Sequence, residues 1–194
     1  DVESMERYFA TFQDGEEVVG TEKICGANGR FLWHNELLYC GSRTQWKSPV
    51  NKETGLNSNC IWQLVIDRHP EIREFCQRNA DITVYGEVYG KVQNLRYGLD
   101  NDFRIAVFDL LRGNEWISYD EAKYMGSTLP WVPEVYRGPF NLETLRRLAS
   151  GRSLMPLANH IREGIVVRPL IERTHPEIGR VQLKVVSPEY LEKY

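Results

Sequence analysis

The sequence predicts an α+β fold with mostly antiparallel sheets. Strand-like runs outnumber helical ones, and their order is not a regular βαβ alternation. Turn-forming residues also separate the runs at short intervals. With 194 residues, 42% hydrophobic and 26% charged, the chain can fill one sizeable core and is too short for two generous domains. The expectation is therefore one domain over residues 1–194.

After a short amphipathic start, Glu16–Ile24 (EEVVGTEKI) reads as a strand, and Arg30–Ser42 as a hairpin turning near His34-Asn35. Asn57–Asn79 has helical spacing at Ile61, Leu64, Val65, Ile72 and Phe75, with Pro70 breaking or restarting the helix. ITVYGEVYG, FRIAVFDLLR and EWISY follow as three strand-like runs. One helix fits Tyr119–Met125, and another fits Asn141–Ser150 with Asn141 as its N-cap. REGIVVRPL and GRVQLKVVS complete the sheets, and Pro188 begins a terminal helix. There is no internal repeat and no low-complexity segment.

Composition narrows the function classes. No apolar run approaches the length of a membrane span, and nothing resembles a signal peptide. Four scattered cysteines without a Cys-x-x-Cys pair, and four scattered histidines, argue against zinc. Reduced thiols in a cytoplasmic protein are the expectation. A formal charge of −3 gives no overall basic field, so any nucleic-acid surface must be local. Asp1-Val2-Glu3 at the start suggests a domain excised from a longer chain.

Neither a P-loop nor a Rossmann fingerprint is present, so a nucleotide would have to be held another way. Lys23 ends an apolar strand and enters a turn containing Gly26, Asn28 and Gly29. That setting suits a lysine that must lose its proton to act as a nucleophile, and also an edge-strand surface lysine. Arg43, between Ser42 and Thr44, can fork onto a phosphate or simply occupy a polar loop. Trp46 and Lys47 beside it combine an aromatic and a charge, which suits a nucleic-acid strand. Lys52 extends this candidate patch.

Alternation places Glu87 between Tyr85 and Tyr89 on one strand face, suited to a ribose hydroxyl, a metal or plain exposure. Phe108 is a core residue or a stacking platform for a base, and Asp109 a turn acceptor or a support. Glu163, before the apolar run 164–167, suits hydrated Mg²⁺ or a charged strand edge. Lys184 shares a strand face with Gln182, where it meets an anion or snorkels to water.

Taken in order, EKICGAN, GSRT, YGEVYG, FRIAVFDL, EGIVVRP and QLKVV resemble the motifs of RNA ligases, from about Glu22 to Lys184. These are covalent nucleotidyltransferases, related to DNA ligases and mRNA capping enzymes. The resemblance implies a nucleotidyltransferase domain with a nucleotide cleft flanked by helices. Lys23 would attack the α-phosphate of ATP and carry AMP as a phosphoramide. Glu22 would meet the adenine edge, Phe108 would stack on adenine, and Glu87 would hold the ribose. Gly26 and Asn28 would form the close-approach turn. Arg43 would meet phosphate and ribose, and Lys184 the α-phosphate. Glu163, with Glu87, would direct Mg²⁺ or Mn²⁺.

AMP would pass to an RNA 5′-phosphate before a 3′-OH seals the strand, with a nicked duplex among the substrate forms. Arg43, Trp46 and Lys47 would bind the RNA. A monomer, a further domain elsewhere in the full-length protein, and a role in RNA repair or end joining are the remaining expectations. The chain departs from the motifs at Cys25, often Asp, and at Gln182, commonly Lys. The rival readings are a DNA ligase, a GTP-dependent capping enzyme and a non-catalytic RNA-binding domain.

Overall fold

A computed structural model describes residues 2–47 and 60–194; Lys52 of the candidate patch lies outside the described residues. The chain opens with β1 (Glu3–Ser4), the single-turn helix α1 (Met5–Tyr8) and β2 (Glu17–Glu22). β3 (Ala27–His34) and β4 (Leu37–Gly41) form the expected hairpin, followed by β5 (Trp46–Lys47). Asn35 and Glu36 at its tip have φ of 48° and 63°, the left-handed pair that matches the twist of a tight hairpin. α2 (Ile61–Arg68) stops at His69, because a residue preceding proline disfavours helical ψ. Pro70 then supplies the first turn of α3 (Pro70–Arg78).

β6 (Ile82–Gly90), β7 (Phe103–Arg112) and β8 (Glu115–Trp116) come next, then α4 (Tyr119–Met125) and β9 (Glu134–Pro139). α5 (Leu142–Ala149) is capped by Asn141, whose Oδ1 accepts from the Thr144 amide at 2.8 Å. β10 (Gly164–Pro169), β11 (Thr174–His175), β12 (Gly179–Arg180), β13 (Leu183–Val186) and α6 (Pro188–Lys193) end the chain. The fold class is the expected α+β, and among the described residues all but one of the strand pairings are antiparallel.

These elements form two compact units. The first comprises Asp1–Ile24, Ser118–Asp120 and Val132–Tyr194. Its five-stranded sheet runs β1-β13-β10-β2-β9. Ile165, Val167, Leu183 and Val185 pack with Leu145 and Ala149 of α5, which fixes one sheet face as core. The second unit comprises Cys25–Ile117 and Glu121–Trp131, with a six-stranded sheet in the order β5-β4-β3-β6-β7-β8. Phe31, Val84, Val88, Ile105 and Val107 line its core with Val65, Ile66, Ile72 and Phe75 of α2 and α3. Among the described residues no helix is long and apolar enough to cross a membrane.

Candidate active site

In the first unit, β2 ends at Glu22 and delivers Lys23 to Glu163. The Lys23 Nζ forms an ion pair with Glu163 Oε1, and both side chains are mostly shielded. The backbone joins the same two segments, because the Lys23 amide donates to the Gly164 carbonyl at 2.9 Å. Gly164 has φ of 159°, and a Cβ there would lie 2.1 Å from the Val185 carbonyl oxygen. Glycine is thus required for β10 to begin immediately after Glu163. The Ser187 amide holds the Glu163 carbonyl at 2.8 Å.

Lys184 sits opposite Val166, which sits opposite Thr21, so all three share the sheet face away from the α5 core. Glu22 pairs with Ile165 and so points to the α5 side. Its carboxylate is buried, with 2% exposure, and is held by the segment after α5. Ser153 Oγ donates to Oε1 at 2.5 Å and the Leu154 amide to Oε2 at 2.6 Å. The Glu22 carboxylate has no cationic partner among the described residues.

The second unit gathers the rest of the expected set. β3 and β6 place Asn28 directly opposite Glu87. Gly26 lies against the same strand: a Cβ there would be 2.1 Å from the Val88 carbonyl oxygen and 3.1 Å from Glu87 Cγ. Among the described residues Asn28 Oδ1 is buried without a hydrogen-bond partner, while the Asn28 carbonyl accepts from Trp62 Nε1 at 2.9 Å. Phe108 occupies a bulge, since Tyr85 pairs with Asp109 but Gly86 pairs with Val107. Asp109 is buried opposite Tyr85, on the face that carries Glu87. Burial raises the Tyr89 phenol above its ordinary pKa, with Arg104 opposing.

Arg43 is exposed in the turn between β4 and β5, which Ser42 and Gln45 close with two hydrogen bonds. Trp46 is 40% exposed, and the Arg30 guanidinium stacks over it at 4.0 Å. The row Arg30–Gly41–Trp46 explains this contact: Gly41 carries no side chain to separate the two. Lys47 alternates to the other face, 5.7 Å from the Trp62 ring. Sequence reasoning missed Arg30 and Trp62, which only strand register and helix packing bring to this edge.

It also left Cys25 unexplained. The Cys25 amide donates to Tyr97 Oη at 2.7 Å, and its thiol to Asn94 Oδ1 at 3.1 Å. A carboxylate there would face an amide oxygen, so the thiol donor suits this pocket better. All four cysteines are thiols. A hydrogen bond with Cys60 and then burial push Cys40 far up, and burial pushes Cys76 up to about 12. Among the described residues no three His, Cys, Asp or Glu side chains gather to hold a metal ion.

The structure resembles Naegleria gruberi RNA ligase. A mutant apo form is 22% identical with a TM-score of 0.76, and a mutant with ATP and Mn is 18% identical with 0.78. A mutant with AMP and Mn is 19% identical with 0.79. Each match covers 100% of this chain and 57% of the other, so the chain spans little more than half of those proteins. No curated protein matches the chain. The sequence profile of the RNA ligase family matches residues 16–186. The chain belongs to the RNA ligase family.

Proposed function

We propose that residues 1–194 are the nucleotidyltransferase domain of an ATP-dependent RNA ligase that joins a 5′-phosphate to a 3′-OH. The contact of Lys23 with Glu163, beside the backbone bond from Lys23 to Gly164, carries this reading. A lysine ammonium has no lone pair with which to attack. A divalent ion held at Glu163 would draw that carboxylate away from Lys23, and its like charge would favour loss of the lysine's proton. The deprotonated Nζ attacks the α-phosphate, the bond to pyrophosphate breaks, and AMP remains on nitrogen. RNA 5′-phosphate then displaces the lysine, and the 3′-OH displaces AMP. Adenylation supplies the leaving group that a bare phosphate oxygen lacks.

Lys184 and Arg43 offset charge that develops on phosphate. Glu87, Asn28 and Gly26 receive the ribose side, and the buried, donor-less Asn28 Oδ1 suits a hydroxyl. Phe108 stacks on the base. Single carboxylates such as Glu163 and Glu87 fit Mg²⁺ or Mn²⁺, which take oxygen ligands and retain several waters. Such an ion would polarise the phosphoryl oxygens. Arg43, Trp46 and Lys47 contact the RNA, with charge for phosphate and an exposed ring for a base.

Intact mass after incubation with ATP and either metal tests the first step. The expected result is a gain of one AMP that Lys23→Ala abolishes and that GTP does not replace. An unmodified wild type with both metals would overturn the reading. Sealing should be impaired in these 194 residues alone, and efficient nick joining by them would refute that part.

A further inference from the structure

We infer that Ser153 is a positioning residue: through Glu22 it fixes the segment that carries Glu163, and so sets the contact between Glu163 and Lys23. This rests on the lysyl-AMP reading above. The path is continuous within one unit. Both Glu22 oxygens are engaged by Ser153 Oγ and the Leu154 amide. From there the segment folds back on itself toward Glu163. The Ser153 amide donates to the His160 carbonyl at 3.1 Å, and the Arg162 amide to the Gly151 carbonyl at 2.9 Å. Arg152 bridges Ile161, and Arg162 Nη2 bonds the Arg152 carbonyl at 2.9 Å.

A buried carboxylate without a cation depends on its hydrogen-bond donors, so removing one weakens the hold disproportionately. Register strengthens the assignment. Glu22 pairs with core residue Ile165, whereas Lys184 lies on the opposite sheet face. The Glu22 carboxylate therefore serves the loop, and its neighbour Lys23 serves the chemistry. The latch ties the end of β2 to the loop that ends in Glu163, the two sides of the reactive pair.

The test compares Ser153→Ala and Ser153→Thr with wild type in single-turnover lysyl-AMP formation, equilibrium ATP binding without divalent metal, and thermal unfolding. Ser153→Ala should slow adduct formation at saturating ATP by about tenfold, the loss of one charge-assisted hydrogen bond. ATP affinity should stay within about twofold. Ser153→Thr, which keeps the hydroxyl donor, should restore the saturated rate. Weakened ATP binding with an unchanged saturated rate would overturn the inference in favour of a carboxylate that touches the nucleotide. So would a loss that tracks unfolding temperature and is not rescued by Thr.

A wild type that forms no adduct would defeat the parent reading instead. Amide hydrogen exchange would then decide the latch. Deprotection of residues 151–163 in Ser153→Ala supports it, and unchanged protection overturns it.

Discussion

The candidate site residues of the two units are held differently. In the first, Lys23 already meets Glu163, and Glu22 already meets two donors. In the second, Asn28 Oδ1 is an acceptor buried without a donor among the described residues, opposite Glu87. Among the candidate site residues, those of the first unit hold charge in prepared contacts, whereas Asn28 of the second keeps an acceptor unspent. On the proposed function this division is between chemistry and recognition. Groups that take part in the chemistry must be placed beforehand, while a group that reads a ligand gains affinity by staying unsatisfied until it arrives.

The largest expected effects come from one glycine in each unit. Gly164→Ala and Gly26→Ala would each put a methyl 2.1 Å from a carbonyl oxygen, of Val185 and Val88 respectively. Neither oxygen can move without breaking its strand, so each variant should lose about 3 kcal/mol or more. For a chain of this size that corresponds to a fall of roughly 6–12 °C in Tm. A Tm within about 2 °C of wild type for either variant would show slack in that backbone and weaken the case for a built site there.

Asn28→Ala sharpens the comparison at smaller scale. Deleting a buried acceptor that has no donor should leave Tm unchanged or slightly raised, because an unsatisfied polar atom is removed. ATP affinity should fall about five- to tenfold if a ribose hydroxyl fills that place. Calorimetric titration beside thermal melts separates the two. Equal losses of stability and affinity would mean that Asn28 is structural, and the contrast between the units would fail.

Much of this was legible in the sequence, for physical reasons. The β3–β4 hairpin, the helix break before Pro70 and the cap at Asn141 depend on local chemistry that a short window contains. β9 escaped because Pro133 and Pro139 bracket it, Gly138 interrupts it, and its partner β2 shifts register at Gly20/Thr21. GRVQLKVVS reads as one strand but splits into β12 and β13, and EWISY shortens to Glu115–Trp116 before α4 begins. The resemblance singled out Lys23, Glu87, Glu163 and Lys184 as candidates, and of these the structure brings Lys23 and Glu163 into contact. The partners of Glu22 were not, since Ser153 lies 131 residues away and a serine in a polar loop carries no signal. Arg30 likewise looks like an ordinary alternate residue of β3 until Gly41 and Trp46 line up beside it.

The smallest effect concerns acid stability, and again belongs to the unit that prepares its charges. Glu16 Oε1 and Oε2 accept from Arg173 Nε and Nη2 at 2.6 and 2.7 Å, and the Gln13 amide adds a third donor at 3.0 Å. Burial is the largest single influence and raises the carboxyl pKa. The Arg173 hydrogen bonds, the Gln13 amide and the Arg173 charge together outweigh it, leaving the group below its ordinary value. A carboxyl depressed in the folded state contributes stability that is complete above its unfolded pKa. That contribution fades as pH falls through the folded pKa. Wild type should therefore lose stability from about pH 4.5 downward, the ordinary carboxyl value. Glu16→Gln should be less stable than wild type at pH 7 and converge with it at low pH. Urea melts at stepped pH measure this. Parallel curves, with no convergence below pH 4, would show that Glu16 contributes through packing and neutral hydrogen bonds, and that its pairing with Arg173 adds no pH-dependent stability.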